Sequence, residues 1–199
     1  MAKRHLRTAA LGARGQSLIE AALILPLVIV IVLGVVEVGY ALLDEHIVTK
    51  MSREGSNMIS RDTTLQDARV ALISMSSGAV NFNNGNSTVI FSVVKRGALV
   101  GSTNYNTNFM LQRHQYGGFS ASSVLSTAGS AAFGAAPDYM APGADNNANL
   151  RVTNLPPNLL VDIGAYIYVT EVYSRHTLIT PLDRFGITVP QTVKSIAYF

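Results

Sequence analysis

Apolar residues run almost unbroken from Ala21 to Leu43, with no charge between Ala21 and Val36 and one acid, Glu37, inside the run. As an α-helix at ~1.5 Å per residue this stretch reaches ~34 Å, enough to cross a hydrocarbon core of about 30 Å. One membrane-spanning helix is predicted. The helical pattern starts at Ser17 and continues past the membrane, through Asp44 to about Arg61. There DEHIVTKMSREGSNMISR sets Ile47, Val48, Met51, Met58 and Ile59 among charges, an amphipathic pattern that Gly55 and Ser56 are placed to bend or end. A second helix is predicted at about Thr64 to Ser76, where Leu65, Ala68, Leu72 and Met75 recur at spacings of three and four.

Beyond Gly78 Asn, Gly, Ser and Thr dominate, with short β-prone runs of which only Ala165 to Tyr173 alternates. Thr88 to Val94 (TVIFSVV), Ala165 to Tyr173 (AYIYVTEVY) and Thr192 to Tyr198 (TVKSIAY) read as strands between Asn, Gly, Ser and Pro turn signals. Residues 117–157 are rich in Gly, Ala, Ser, Asn and Pro with weak periodicity, which predicts a surface loop or insertion rather than core. The expected fold class is α+β: a long N-terminal transmembrane helix continuing into an exported domain with a small antiparallel sheet and long loops. Three segments follow: a basic leader at 1–15, a helix at 16–61 and the exported domain at 62–199.

Charge refines the orientation. The chain carries 15 Lys and Arg against 12 Asp and Glu, formal net charge +3. Lys3, Arg4, Arg7 and Arg14 all fall in the first fifteen residues, which hold no acid, so the rest of the chain is slightly acidic. The basic character belongs to the leader and gives no reason to expect a nucleic-acid partner. A basic flank before the helix, with Asp44 and Glu45 after it, predicts a cytoplasmic N-terminus and an exported C-terminal domain. Cysteine is absent, so neither a disulfide nor a thiolate nucleophile or ligand is available.

Directly before the apolar run stands RGQSLIE, residues 14–20. Gly15 followed by Gln16, with Glu20 four positions beyond Gln16, resembles a prepilin peptidase site, in which cleavage follows the glycine and glutamate is the fifth mature residue. The longer stretch RGQSLIEAALILPLVIVIVLGVVEVGYALL is similar to the TadE-like minor pilins, or pseudopilins, of tight-adherence (Flp, type IVc) pilus systems. Pro26, Glu37, Gly39 and the Ser52–Gly55 (SREG) element share in that likeness, and the tail TPLDRFG before a last strand matches more loosely. The resemblance implies scission between Gly15 and Gln16 and a structural, non-enzymatic subunit. Its implied partners are the peptidase, other pilin subunits and an inner-membrane assembly platform.

The residue types suit that chemistry. Glycine lets the backbone enter a narrow protease site without a side-chain clash. Cleavage creates an α-amino group on Gln16, protonated at neutral pH because its ordinary pKa is ~7.7 to 8.0. In a filament, Glu20 is placed to pair with the new amine of a neighbouring subunit, where low dielectric makes an unpaired charge costly. A local role is also open: Ser17-Leu18-Ile19-Glu20 has the S-x-x-E form of a capping box, with Ser17 as cap and Glu20 bonding back. The two roles are compatible. Glu37 is open as well: it is an intramembrane contact with another pilin or an assembly component, or it snorkels toward the interface, or the true span ends near Val36. Pro26 is expected to kink the helix.

Other chemistry is weakly supported. His46, His114 and His176 lack metal-ligand spacing and are expected to be exposed or locally bonded. Asp145-Asn146-Asn147 lacks the glycine and distal glutamate of a calcium loop. Gly117-Gly118 does not sit between a strand and a helix as a phosphate cradle would, and no G-x-S-x-G is present. Tyr166, Tyr168 and Tyr173 fit aromatic packing on a strand. No catalytic set, metal site or cofactor is expected.

The expected function is that of a pilus subunit, inserted in a bacterial inner membrane, cleaved after Gly15 and drawn into a pilus used for surface adhesion. One rival is a permanently anchored envelope protein with an exported ligand-binding domain, which keeps residues 1–15. A second is a secreted enzyme or binding module whose apolar run is a signal peptide cut at Gly39-Tyr40-Ala41.

Overall fold

A computed structural model describes residues 5–199 apart from 77, 79, 160, 188 and 189, and the side chains from Gln16 onward. The leader residues Lys3 and Arg4 lie outside the described residues. Among the described residues two helices, α1 (His5–Ile59) and α2 (Leu65–Met75), precede four strands: β1 (Ser87–Arg96), β2 (Asn108–Gly117), β3 (Tyr166–Arg175) and β4 (Thr192–Tyr198). Three 3-10 helices, the last at Pro181–Phe185, interrupt the connections. The fold is α+β, as expected.

The chain forms two compact units: Met1–Leu42 with Leu178–Val189, and Leu43–Thr177 with Pro190–Phe199. In the first, the α1 stretch from Gln16 is long and apolar enough to cross a membrane, and its most hydrophobic window is not buried by the protein at all. Leu18, Leu23, Ile24, Leu25, Leu27 and Ile31 all face outward. Such a surface is stable only in lipid or against other apolar helices.

The second unit is built on an antiparallel sheet of order β2-β1-β3-β4. Successive side chains point to opposite faces, and here both faces are covered. Val89, Phe91, Val93 and Val172 pack with Val48, Met51 and Ile59 of α1 and with Leu65, Ala68 and Leu72 of α2. Val94, Met110, Ile167 and Val169 pack with Leu125, Ala141, Ala144 and Leu150. Those last four belong to the segment expected to be surface loop. It is irregular, as expected, but it builds the second core, anchoring one small apolar side chain at a time rather than a periodic stripe. Strand β2 was not expected either: NFMLQRHQYG shows no apolar alternation, yet it pairs with β1 from Thr88↔Gly117 to Arg96↔Asn108, with an irregularity between Val93 and Val94.

Thr64 caps α2, its Oγ1 accepting from the Asp67 amide at 3.1 Å. Helix α1 does not end at Gly55-Ser56 but runs to Ile59. Glycine is needed there for a close approach: a Cβ on Gly55 would lie 2.6 Å from Thr170 Cγ2.

Candidate functional site

The residues singled out in the sequence occupy two levels of α1 in the first unit. Gly15, Gln16, Ser17 and Glu20 lie within the helix, and residues 16–20 are exposed. Helix α1 runs from His5, so in the uncut chain Ser17 is an interior helical residue and does not stand at an N-cap position. Glu20 accepts instead from Gln16 Nε2 at 3.1 Å, one turn away. Residues 16–20 thus lie on an exposed helical surface, with the Glu20 carboxylate ~6 Å along the axis from Gln16.

About 26 Å further along the helix lies Glu37, fully buried in a span whose other residues are exposed or half-buried. Its carboxylate accepts from the Ile179 amide at 3.2 Å and the Thr180 amide at 2.9 Å, and from Thr180 Oγ1 at 2.5 Å. The acid is satisfied by a segment of its own chain. Burying a carboxylate is tolerable only when donors replace water. Residues 179–180 supply them because Pro181 opens a 3-10 helix there, with Thr180 as its N-cap residue. That Thr hydroxyl makes no capping bond; it donates to Glu37. The sequence signal for the partner is Thr180-Pro181, which marks a helix start, but nothing local pairs it with an acid 143 positions earlier.

The Ser52–Gly55 element does a separate job in the second unit. Ser52 Oγ shares a 2.9 Å hydrogen bond with Ser195 Oγ, and Ser56 Oγ donates to the Ala197 carbonyl at 3.0 Å. Between them Gly55 meets Thr170. The element joins α1 to β3 and β4, and Arg53, which takes no part in this, points outward.

A buried polar network holds the opposite face. Glu171 on β3 accepts from Ser123 Oγ at 2.5 Å, the Val124 amide at 2.8 Å and Tyr173 OH at 2.8 Å. Arg113 on β2 donates to Ser123 Oγ and the Leu125 carbonyl. Burial pulls the Arg113 pKa down, partly offset by Glu171, and pushes the Tyr173 phenol up with help from its bond to Glu171. The network clamps residues 122–125 to the sheet, and every polar group named in it is turned inward to a partner. Of the tyrosines, Tyr166 and Tyr168 stack at 6.2 Å, while Tyr173 faces the Glu171 side.

The histidines are dispersed. His46 is exposed, His114 stacks on Tyr139 at 3.8 Å, and buried His176 meets Asp44 at 2.6 Å through Nδ1. The calcium-like stretch Asp145-Asn146-Asn147 serves local structure: the Asn104 amide group donates to the carbonyls of Ala144 and Asn147, and Asp145 lies 3.9 Å from Lys95 Nζ.

Residues 15–57 match the family model described as TadE-like protein, which bears out the resemblance read from Gly15 through the Ser52–Gly55 element. No curated protein and no solved structure matches the chain.

Proposed function

We propose that the chain is a minor pilin or pseudopilin of a Tad (Flp, type IVc) pilus, cleaved by prepilin peptidase after Gly15 and taking part in pilus assembly or priming. The observation that carries this reading is the TadE-like match, which opens at the glycine of the expected cut and spans the apolar helix and the Ser52–Gly55 element. In this reading the protein is a substrate of the peptidase and performs no reaction of its own.

The chemistry supports a helix that exchanges one apolar environment for another. A fully exposed Leu or Ile side chain gains about 1.5–3 kcal/mol on burial, so the outward stripe from Leu18 to Val36 holds the subunit in the inner membrane, N-terminus cytoplasmic. The same stripe then packs against other pilin helices once the assembly platform withdraws it. Glu20 and the new amine on Gln16 are both free of the protein's own packing, which suits an intersubunit pair. Surface adhesion is the expected use of the resulting pilus. N-terminal sequencing of the protein from its native host tests the reading. A mature chain beginning at Gln16 supports it; one beginning at Met1 favours a permanent anchor and one beginning at Leu42 a signal peptide, and either overturns it.

A further inference from the structure

We infer that residues 178–187 form a lipid-contacting element at the exported edge of the membrane, docked on the spanning helix through Glu37. The inference rests on the membrane insertion proposed above.

Depth comes first. If the apolar core begins at Ala21, ~30 Å of helix at ~1.5 Å per residue ends near Tyr40. Glu37 then lies ~5 Å inside that limit, and its bonds to Ile179 and Thr180 hold the segment at the same level. An acid at such depth costs about 2.5–3.5 kcal/mol on insertion scales, and the segment removes it from lipid by covering it completely.

Composition and exposure agree. Within the same compact unit, Leu182 is buried while Ile179, Phe185 and Ile187 are 57, 57 and 40% exposed, alongside outward Val36, Val38 and Tyr40 of α1. The apolar surface of the segment thus continues that of the spanning helix, and exposed Asp183 and Arg184 supply the polar groups that suit headgroup depth.

The backbone gives independent support. Irregular chain is tolerated at membrane depth only where its polar groups are internally satisfied. The amides of Ile179 and Thr180 donate to Glu37, that of Gly186 to the Asp183 carbonyl and that of Ile187 to the Leu182 carbonyl; Pro181 has none to satisfy.

The protein contains no tryptophan, so a single introduced indole reports its own surroundings. Full-length Phe185→Trp and, separately, Val28→Trp are reconstituted at low protein density in phosphatidylcholine vesicles with acyl chains brominated near the headgroup or near the chain end. The expected result for Phe185→Trp is blue-shifted emission quenched more strongly by the shallow bromines, and Glu37→Ala in that background should reduce the quenching. Val28→Trp should be quenched most by the deep bromines. If Val28→Trp is quenched and Phe185→Trp is not, the inference fails while membrane insertion stands. If neither is quenched, both fail. Shielding of Phe185→Trp that disappears on dilution into excess lipid would mean a contact between copies of the chain and would also overturn the inference.

Discussion

Thr180 Oγ1 donates a 2.5 Å hydrogen bond to Glu37 Oε2, closing a loop of 143 residues onto the apolar helix. This bond and those from the two adjacent amides turn an acid that would burden a membrane span into the fixed point of a compact unit.

Removing that carboxylate leaves two amides and a hydroxyl without their acceptor, a loss of about 1–3 kcal/mol. Glu37→Ala should therefore raise hydrogen exchange across residues 178–187 by roughly ten- to a hundredfold. Exchange in β3 should stay unchanged, because that strand belongs to the other compact unit. The comparison is made by mass spectrometry on the full chain in detergent, and equal exchange in variant and parent would show that Glu37 does not hold the segment.

Gly55→Ala sets a gain of ~1 kcal/mol in helix propensity against a methyl placed 2.6 Å from Thr170 Cγ2 and 3.0 Å from its Oγ1. Overpacking of this kind costs about 1–3 kcal/mol, and both facing elements are core, so a net loss of stability is expected. Thr170→Ala removes the opposing atoms, and Gly55→Ala with Thr170→Ala should recover most of the loss. Thermal unfolding of the four proteins gives the coupling; strict additivity would show that the two residues do not compete for space.

At the other end of α1, Gly15→Phe adds a side chain where the resemblance requires none. In the native host it should leave the protein about fifteen residues too long, detectable by intact mass, whereas Ser17→Ala should be processed normally because Ser17 caps nothing in the uncut chain. Normal processing of Gly15→Phe would place the cut elsewhere.

These positions also show what was readable in the sequence. The membrane-length helix was legible as an unbroken apolar run, α2 by its apolar spacings of three and four, and three of the strands as short β-prone runs between turn signals. Strand β2 was not: its Gln112, Arg113, His114 and Gln115 are placed by the pairing with β1, a long-range cause that leaves no local period. The second core escaped for the same reason, since Leu125, Ala141, Ala144 and Leu150 are isolated small or aliphatic residues in polar surroundings. At the candidate site, Gly15 and Glu20 stood out through their resemblance to a prepilin peptidase site. Glu37 was visible as an anomaly, but Thr180, its partner, lay in a proline-bearing link whose meaning depends on the fold bringing it back to the helix.

His114 gives the structure a dependence on pH. Its imidazole stacks on Tyr139 with an interplanar angle of 11°, and its Nε2 is buried without a hydrogen-bond partner among the described residues. Burial first, and the nearby Arg69 guanidinium second, push its pKa down from 6.5 to about 4. An unfolded chain takes up a proton at this residue below pH 6.5, while the folded protein refuses it until about 4. Between those values the unfolded state binds more protons, so the contribution of this residue is complete above 6.5 and falls away as the pH drops toward 4. His114→Phe keeps a flat ring against Tyr139 and cannot titrate. Its melting temperature should therefore rise relative to the parent as the pH is lowered from 7 to 4.5. His46, His176 and the carboxylates are common to both proteins, so their titrations largely cancel in the difference. A difference that stays constant over this range would show that the folded protein accepts the proton as readily as the unfolded one.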